Sequence, residues 1–330
     1  MNELILGIET SCDDTAAAVV DAGGRILSSV VASQLEIHEA FGGIYPEFAA
    51  RAHVATILPT VHEALGRAAV SPADLLAIAV TRGPGLVGSL LVGLNTAAAL
   101  GAGWGKPVIG VNHLRGHLRS ADLEERRVKY PATVLLVSGG HTLLAYMKDA
   151  AGIELLGSTR DDSVGESYDK VGRMLGTGYP GGPAVDRMAA GGRACIPFPR
   201  PMIDKGCDFS FSGLKAAVAR HVEAAGEGTR EDIAASFVQA VMDVLIKKSR
   251  LVLGRYPSAS FVIVGGVAAS PRLREEAARL CEETGVELCL PPTRWSTDNA
   301  AMIALAAFDY ARLGILPPPV AELQLTIRDF

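Results

Sequence analysis

The stretch Thr133–Val137, TVLLV, its continuation Ser138–Thr142, SGGHT, and the next run Leu143–Met147, LLAYM, decide the fold. Two apolar runs on either side of a short turn of small polar residues are typical of adjacent buried strands. A second turn with glycine at 149–152 leads into the apolar run Ile153–Leu156, which predicts a third strand. The sequence therefore predicts a three-stranded meander in the middle of the chain.

The same order of features occurs near the N-terminus. Leu4–Ile8 is an apolar run, Glu9–Thr15 is a polar turn, and Ala16–Val20 is a second run that ends in the glycine turn 21–24. Arg25–Val31 then predicts a third strand. Two such meanders about 130 residues apart predict a duplicated α/β fold, in which each half opens with a hairpin facing a shared cleft.

The composition is that of a globular protein without a targeting signal. The chain has 330 residues, which exceeds the usual size of one domain, and apolar residues make up 49% of it. The net charge is −5, so a nucleic-acid partner requires a local basic patch or a helper protein. Five cysteines without CxxC spacing predict free thiols. With no signal peptide and no apolar run of about 18 residues, we expect a cytoplasmic protein without a membrane span.

A glycine–proline turn at 81–89 follows the predicted strand Leu75–Val80 and precedes the helical run Leu90–Leu100. Its glycines allow a backbone or a ligand to approach closely, and free amides at a helix N-terminus attract anions. Tight packing between a strand and a helix uses the same residues, so both interpretations stay open. The next predicted strand, Val108–Val111, ends at Asn112, at the sheet edge where α/β proteins collect their ligands.

Two histidines, His113 and His117, directly follow that strand. Residues four apart lie on the same face of a helix, so both imidazoles can reach one divalent ion. Asp298, where the last predicted helix begins, could complete a set of two histidines and one carboxylate. Packed or solvated histidines, and a carboxylate that caps a helix, explain the same residues without a metal.

The second half contains two further polar segments that suit a ligand. Asp169 and Asp186 flank the glycine–proline loop 176–183 and could bind hydroxyl groups or an amine, although helix capping explains them equally well. The small-residue turn 265–270 follows the predicted strand Phe261–Val264 and suits the base or ribose of a nucleotide.

Ordered motifs along the chain resemble one family within the actin, hexokinase and Hsp70 ATPase superfamily. They are SQLEIHEAFGGIYPEFAARAH, GPGLVGSLLVG, NHLRGHL, LLVSGGHT, GYPGGPAVDR, DFSFSGLK, GGVAAS and STDNAAMIA. Together they are similar to the bacterial tRNA threonylcarbamoyladenosine transferases, the TsaD family, over essentially the whole chain. The resemblance implies transfer of a threonylcarbamoyl group from threonylcarbamoyl-AMP to the exocyclic N6 amine of the adenosine next to the anticodon, in tRNAs that read codons beginning with A.

The resemblance also implies an actin-like ATPase fold with two α/β lobes around a nucleotide cleft. We expect residues 1–130 to form the first lobe, with the C-terminal helix 300–330 packed back on it. Residues 131–299 then form the second lobe, with an insertion around 160–215. ATP or threonylcarbamoyl-AMP is the expected ligand of the cleft.

The site residues of the family carry over by position. The implied metal ligands are His113, His117 and Asp298, and the implied cofactor is one divalent ion, Fe(II) in preference to Zn(II). The implied substrate contacts are Leu136, Val137, Ser138, Gly139, Gly140, Asp169, Gly182, Asp186 and Ser270. Two positions depart from the family. Arg115 stands where Glu is common, and Ser270 stands where Asn is usual, which removes an amide that could bond the nucleotide.

The implied partners are tRNA, the paralogue TsaB, the ATPase TsaE and a separate synthase that supplies threonylcarbamoyl-AMP. We expect TsaB on the N-terminal half, whose alanine-rich helices offer an apolar face. Arg193, Arg200 and Lys205 occur in a basic, proline-containing loop and are the candidate tRNA contacts. A solvated surface loop explains these three residues equally well.

Three other functions fit parts of the sequence. A kinase or ATPase on the same fold needs a carboxylate base and magnesium held by oxygen ligands, which the histidine pair does not favour. A metalloprotease of the HExxH type needs Glu after the first histidine, where this chain has Leu114. A non-catalytic scaffold like the shorter paralogue has no need for the three metal-ligand residues.

Overall fold

The protein is described by a computed structural model that covers residues 3–124, 128–150, 152–224, 226–323 and 326. The chain divides into two compact units, Met1–Arg127 with Thr297–Phe330, and Val128–Ser296. This division groups Asp298 with the first unit, whereas the sequence-based boundary at 299 grouped it with the second. The expected C-terminal helix 300–330 is too long, because the helix ends at Arg312; positions 324–325 and 327–330 lie outside the described residues.

Strands and helices follow one another through both units. The described strands are β1 Leu4–Glu9, β2 Asp14–Asp21, β3 Ile26–Ser33, β4 Leu75–Gly83, β5 Val108–Asn112, β6 Ala132–Val137, β7 Thr142–Met147, β8 Ile153–Ser158, β9 Ser260–Val264 and β10 Glu287–Cys289. The described α-helices are α1 Leu35–Glu39, α2 Pro46–Ala68, α3 Val87–Trp104, α4 His113–Arg119, α5 Val164–Leu175, α6 Gly181–Ala189, α7 Ser212–Glu223, α8 Arg230–Leu253, α9 Pro271–Thr284 and α10 Ala300–Arg312.

The sheet of the first unit has the strand order β3-β2-β1-β4-β5. Strands β1, β2 and β3 form an antiparallel meander, and β1, β4 and β5 run parallel. All six residues of β1 are buried, because Leu4, Leu6 and Ile8 pack with α2 and α3 on one face while α10 covers the other. A Cβ atom at Gly7 would lie 2.2 Å from the carbonyl oxygen of Ala300. Glycine therefore lets the start of α10 approach β1 closely.

The sheet of the second unit repeats this arrangement. Its strand order is β10-β9-β6-β7-β8, with β6, β7 and β8 antiparallel and β6, β9 and β10 parallel. By position in the sheet, β6 corresponds to β1, β7 to β2, β8 to β3, β9 to β4 and β10 to β5. The predicted α/β duplication, in which each half opens with a meander, is therefore confirmed.

Helix α8 organises the core of the second unit. The Thr229 hydroxyl accepts a hydrogen bond from the Asp232 amide and caps the helix. Phe237, Val241 and Leu245 follow at helical spacing and are completely buried in the core.

The expectation that the chain has no apolar run of about 18 residues is wrong for α3. Its 18 residues have a mean hydropathy of 1.3, so the helix is long and apolar enough to cross a membrane by length and composition alone. Core helices of proteins without a membrane span meet the same criterion. Leu90, Leu94 and Ala97 are buried in the core of the first unit, whereas Val87 and Leu91 are 52% and 45% exposed. The helix thus has one packed face and one exposed apolar face.

Candidate functional site

His113, His117 and Asp298 come together in the first unit. One ligand atom from each lies within 4.8 Å of the other two, and both histidines are buried. Asp298 Oδ1 lies 3.1 Å from His117 Nε2 and 3.6 Å from His113 Nε2. The two imidazole rings meet edge to face, with centroids 4.6 Å apart. The three side chains thus turn their ligand atoms toward one point.

Short local interactions place these side chains. The Asn112 side chain accepts a hydrogen bond from the Leu114 amide at 3.0 Å and starts α4 directly at the end of β5. A Cβ atom at Gly116 would lie 2.7 Å from Ile303 of α10, so glycine at this position lets the two helices pack closely. Asp298 lies two residues before Ala300, the first residue of α10. The packing of α10 on α4 therefore brings Asp298 close to the two histidines.

Asp298 does not cap the last helix. The Asn299 side chain does so, because it accepts a hydrogen bond from the Met302 amide at 3.0 Å. The capping explanation for Asp298 is therefore wrong, and its carboxylate is directed to the two histidines instead. Arg115, between the histidines, is 5% exposed and is not a member of the cluster.

Glu9 joins the site from the end of β1 and was not among the residues that the sequence indicated. Its carboxylate is 1% exposed and accepts hydrogen bonds from the Thr81 hydroxyl at 2.6 Å, the Ser11 amide and His113 Nδ1 at 3.0 Å. An acidic residue directly after a buried strand was the available signal. It carried no weight because its partners are up to 104 positions away along the chain.

The charged groups of the cluster shift one another's pKa values. Burial alone lowers the pKa of His113, but the carboxylates of Glu9 and Asp298 outweigh burial and raise that pKa to about 9. Burial alone raises the pKa of Glu9, and the interactions with His113 and Thr81 leave it lowered. Both ring nitrogens of His117 are buried: Nδ1 has no hydrogen-bond partner among the described residues, and Nε2 faces the Asp298 carboxylate at 3.1 Å without hydrogen-bond geometry. A positive ion bound at this point would be stabilised by the nearby carboxylates and coordinated by the imidazole nitrogens.

The glycine–proline turn before α3 proves to be a packing element. Its Leu86 amide donates to the Ser11 carbonyl at 2.8 Å, and a Cβ atom at Gly85 would lie 2.6 Å from the same oxygen. Further along α3, a Cβ atom at Gly93 would lie 2.3 Å from the Thr10 hydroxyl. These glycines admit the turn after β1, so the structure favours the packing interpretation over an anion site here.

In the second unit, the turn after β6 is open. Gly139 and Gly140 are exposed, and a Cβ atom at either position would meet no atom within 4 Å. Two hydrogen bonds fix the conformation of the turn. The Ser138 amide donates to the His141 carbonyl at 2.8 Å, and the Ser163 hydroxyl donates to the Gly139 carbonyl. The amides of the two glycines have no partner among the described residues. They are suited to an anion.

The other expected substrate residues lie in the same unit. The side chains of Leu136 and Val137 are completely buried, so only their main chain could contact a ligand. Asp169 accepts a hydrogen bond from the Gly181 amide at 2.8 Å, which fits the capping interpretation for this carboxylate. A Cβ atom at Gly182 would meet no atom within 4 Å, so this position borders open space.

Asp186 and Ser270 form a polar cluster with Tyr168, a residue that the sequence did not indicate. The Tyr168 hydroxyl, Asp186 Oδ1 and Ser270 Oγ are buried close to one another, and none of the three makes a hydrogen bond of good geometry. Burial raises the pKa of Asp186, and the neighbouring Ser270 and Tyr168 hydroxyls partly oppose that effect. Ser270 also precedes α9, whose first residue is Pro271. The oxygens of this cluster can therefore still form hydrogen bonds with a ligand.

The basic loop is less uniform than its sequence suggests. Arg200 pairs with Asp243, with its Nη2 atom 2.8 Å from Oδ2, and it is therefore engaged within the unit. Arg193 borders a cavity of about 740 Å³. This cavity is also lined by Phe198, Arg220 and His221, and by none of the expected substrate residues.

Comparison with known proteins places the chain in one family. The family model described as TsaD, tRNA N6-adenosine threonylcarbamoyltransferase, matches residues 25–305. A relative of that name from Symbiobacterium thermophilum is 48% identical over 316 residues, covering 94% of this chain and 93% of its own length. Another from Anaeromyxobacter dehalogenans is 50% identical over 309 residues, covering 92% of each.

Solved structures share the fold at low sequence identity. HypF from T. kodakarensis has a TM-score of 0.66 at 14% identity, over 95% of this chain and 48% of that protein. Component A of (R)-2-hydroxyglutaryl-CoA dehydratase from Acidaminococcus fermentans has a TM-score of 0.58 at 16% identity, over 94% and 99%. These neighbours agree with the predicted actin-like ATPase fold. The family model and the relatives of the same name and nearly the same length establish that the chain belongs to the TsaD family, the tRNA N6-adenosine threonylcarbamoyltransferases, and is a transferase that modifies tRNA.

Proposed function

We propose that the chain transfers the threonylcarbamoyl group of threonylcarbamoyl-AMP to the N6 amine of the adenosine next to the anticodon, in tRNAs that read codons beginning with A. Family membership supports the reaction class, and the convergence of His113, His117 and Asp298 is the observation that carries the proposal. An exocyclic amine is a weak nucleophile. The carbonyl that it attacks therefore has to be polarised, and the charge of the leaving adenylate has to be compensated.

One divalent ion is the proposed cofactor, Fe(II) in preference to Zn(II), with His113, His117 and Asp298 as its ligands. Two imidazoles and one carboxylate are a donor set that such ions accept while keeping coordination positions open. When bound, the ion supplies a Lewis acid. The chain contributes the preformed arrangement of the three ligand atoms, in which both histidines are buried and the Asp298 carboxylate faces them.

The second unit is the proposed site for ATP or threonylcarbamoyl-AMP. The open amides of Gly139 and Gly140 suit the adenylate phosphate, and Ser138 fixes the turn that presents them. Asp186 and Ser270 suit hydroxyl groups or an amine, because each has a buried oxygen that makes no hydrogen bond of good geometry within the protein. The remaining proposed contacts are main-chain atoms of Leu136 and Val137, together with Asp169 and Gly182.

TsaB is the proposed protein partner on the first unit. Val54 and Leu58 on α2 are 66% and 57% exposed, and Val87 and Leu91 on the neighbouring α3 are about half exposed. An exposed apolar patch on two packed helices is typical of a surface that another protein covers. TsaE and the synthase that supplies threonylcarbamoyl-AMP are further proposed partners, on the strength of the family resemblance alone.

The tRNA is proposed to contact the basic loop of the second unit. Arg193 and Lys205 are exposed, and no ion pair is seen for either in the described part of the chain. Arg200, which was expected as a third contact, is bound to Asp243 and is dropped from the set. Because the whole chain carries a net charge of −5, these contacts are weak at physiological salt and binding depends on the partners.

A cytoplasmic location is part of the proposal. It is supported by the tRNA substrate named for the family and by the five cysteines, which are all free as predicted. Disulfides are rare in the reducing cytosol.

Reconstituted transfer tests the proposed function. The metal-loaded chain is mixed with TsaB, TsaE, the synthase, labelled threonine, ATP, bicarbonate and tRNA, and label in the tRNA is counted. We expect label with wild type and with Arg255→Ala, an exposed residue outside all of the proposed sites, and none above background with His117→Ala. Equal labelling by the His117→Ala variant would remove the metal cluster from the reaction.

A further inference from the structure

The two histidines of the metal cluster differ in what holds their second nitrogen. Nδ1 of His113 lies 3.0 Å from Glu9 Oε2, whereas Nδ1 of His117 is buried without a hydrogen-bond partner. A histidine that binds a metal through one nitrogen commonly donates the proton on the other to a carboxylate, which fixes both the tautomer and the ring orientation. The structure provides such a carboxylate for His113 only.

We propose that Glu9 is a positioning residue of the metal site, which accepts the Nδ1 proton of His113 and thereby presents the Nε2 lone pair to the divalent ion. This inference rests on the metal site of the proposed function. It adds a residue that ligates nothing itself and is supplied by β1 rather than by α4 or the segment before α10.

Glu9 is held rigidly enough for this role. The Ser11 amide donates to Oε1, and the Thr81 hydroxyl donates to Oε2 at 2.6 Å, the same oxygen that faces His113. A carboxylate that is 1% exposed is tolerated only when its oxygens are paired. Three donors, one each from the turn after β1, from β4 and from α4, meet that requirement, so the side chain has one orientation.

The Ser11 hydroxyl is the competing partner, because its Oγ lies 3.3 Å from the same Nδ1 atom. A hydroxyl either donates or accepts, so it does not by itself choose the tautomer of His113. The Glu9 carboxylate is closer and can only accept. Hydrogen bonds to a charged acceptor are about twice as strong as those between neutral groups, so Glu9 determines where the proton lies.

Replacing Glu9 by glutamine keeps the size and inverts half of the hydrogen-bonding pattern. If the amide oxygen of Gln accepts from the Ser11 amide, its NH₂ group faces Nδ1 of His113 and requires an unprotonated nitrogen there. The proton then moves to Nε2, which can no longer bind a metal. If the oxygen faces His113 instead, the NH₂ group opposes the Ser11 amide, and two donors are left facing each other.

The experiment compares the affinity for Zn(II) and Co(II), measured by competition with a chelator, among wild type, Glu9→Gln and Ser11→Ala. We expect the dissociation constant of Glu9→Gln to rise about 10- to 100-fold with a changed Co(II) absorption spectrum, and Ser11→Ala to match wild type. Wild-type affinity and spectrum in Glu9→Gln would overturn the inference, as would a loss confined to Ser11→Ala.

Two further measurements keep the outcome interpretable. A wild-type chain that binds no metal would contradict the proposed cofactor itself, whereas metal binding that depends on His117 but not on Glu9 would contradict only this inference. If Glu9→Gln does not fold, long-range ¹⁵N correlation spectra of the Zn(II)-loaded wild type decide the matter. We expect a protonated Nδ1 and a metal-bound Nε2 in His113, and the reverse assignment would overturn the role of Glu9.

Discussion

The turns that follow the first strand of each sheet occupy the same place in the same strand order, yet their chemistry is opposite. In the first unit the turn after β1 is closed, because Glu9 accepts from the Ser11 amide and the Thr10 hydroxyl donates to the Ser89 carbonyl. In the second unit the turn after β6 leaves the amides of Gly139 and Gly140 open. One duplicated scaffold thus carries two different sites.

The difference shows which part of a duplicated fold determines function. Strand order and pairing are the same in both sheets, so the backbone topology does not distinguish them. A carboxylate at the end of β1 can orient a histidine, and two glycines after β6 can admit an anion. The side chains of equivalent turns therefore assign the metal to one unit and the nucleotide to the other.

The largest expected effect is the loss of the metal site in the first unit, with the second unit unaffected. His117→Ala removes a ligand, so we expect metal content to fall from near one to near zero per chain and metal affinity to fall more than about 100-fold, beyond what loss of an outer residue causes. Elemental analysis of the purified proteins measures this. Binding of ATP in the second unit should be unchanged, and equal metal in both proteins would place the ion elsewhere.

The reciprocal variant, Gly139→Val, should weaken the nucleotide site of the second unit and leave the metal site intact. In Gly139→Val the side chain enters the open space over the turn, so we expect affinity for ATP or a stable adenylate analogue to fall about 10- to 100-fold, the value of one or two hydrogen bonds to a charged group. Calorimetry measures the affinity. Metal content serves as the control and should equal that of wild type, while undiminished nucleotide affinity in a folded variant would move the phosphate elsewhere.

The polar cluster of the second unit should show a conflict between stability and binding. Because burial raises the pKa of Asp186, its ionised form destabilises the ligand-free protein above the ordinary aspartate pKa. We expect Asp186→Asn to raise the free energy of unfolding at pH 7, and the gap to wild type to close as the pH falls toward about 4. Urea unfolding across this pH range measures the gap, and a wild type that is the more stable at pH 7 would contradict the sign.

Weakened nucleotide binding should accompany that gain in stability. Asparagine keeps one acceptor oxygen but has no negative charge. Hydrogen bonds from ligand hydroxyls to it are therefore weaker than those to the aspartate carboxylate. Calorimetry with the same adenylate analogue measures the affinity of Asp186→Asn, and unchanged binding would remove Asp186 from the ligand contacts.

The smallest expected effect concerns the charged loop. Reversing Arg193 and Lys205 to glutamate should lower tRNA affinity severalfold in low salt and reduce its salt dependence by about two charges, because each neutralised phosphate adds about one to the slope. Reversing Arg255, exposed in the same unit but outside the loop, is the matched control. Identical salt slopes for the two reversals would show that the loop is not the contact.

The sequence predicted the features that rest on local patterns. Alternating apolar runs and small polar turns indicated both meanders, and the spacing of His113 and His117 indicated a shared helix face, which α4 provides. Residue type suggested Asp298 as a third ligand and the family resemblance implied it, and close packing at Gly7 and Gly116 explains how the fold brings it to the histidines.

Other residues were missed because their role depends on long-range contacts. Glu9 meets His113 across 104 positions, and Tyr168 reaches Asp186 and Ser270 only when three separate segments pack together. Arg200 was grouped with Arg193 by charge alone, because the position of Asp243 on α8 could not be known from the loop sequence. Local spacing thus identifies candidates, and the tertiary fold decides which of them are already engaged.

The position of the ion tests the central claim most directly. Crystals of the metal-loaded chain, measured at the absorption edge of the bound metal, should give one anomalous peak per chain within about 2.0–2.2 Å of His113 Nε2, His117 Nε2 and a carboxylate oxygen of Asp298. Glu9 should still accept the hydrogen bond from His113 Nδ1. A peak away from these three residues, in protein that carries one metal per chain, would contradict the account.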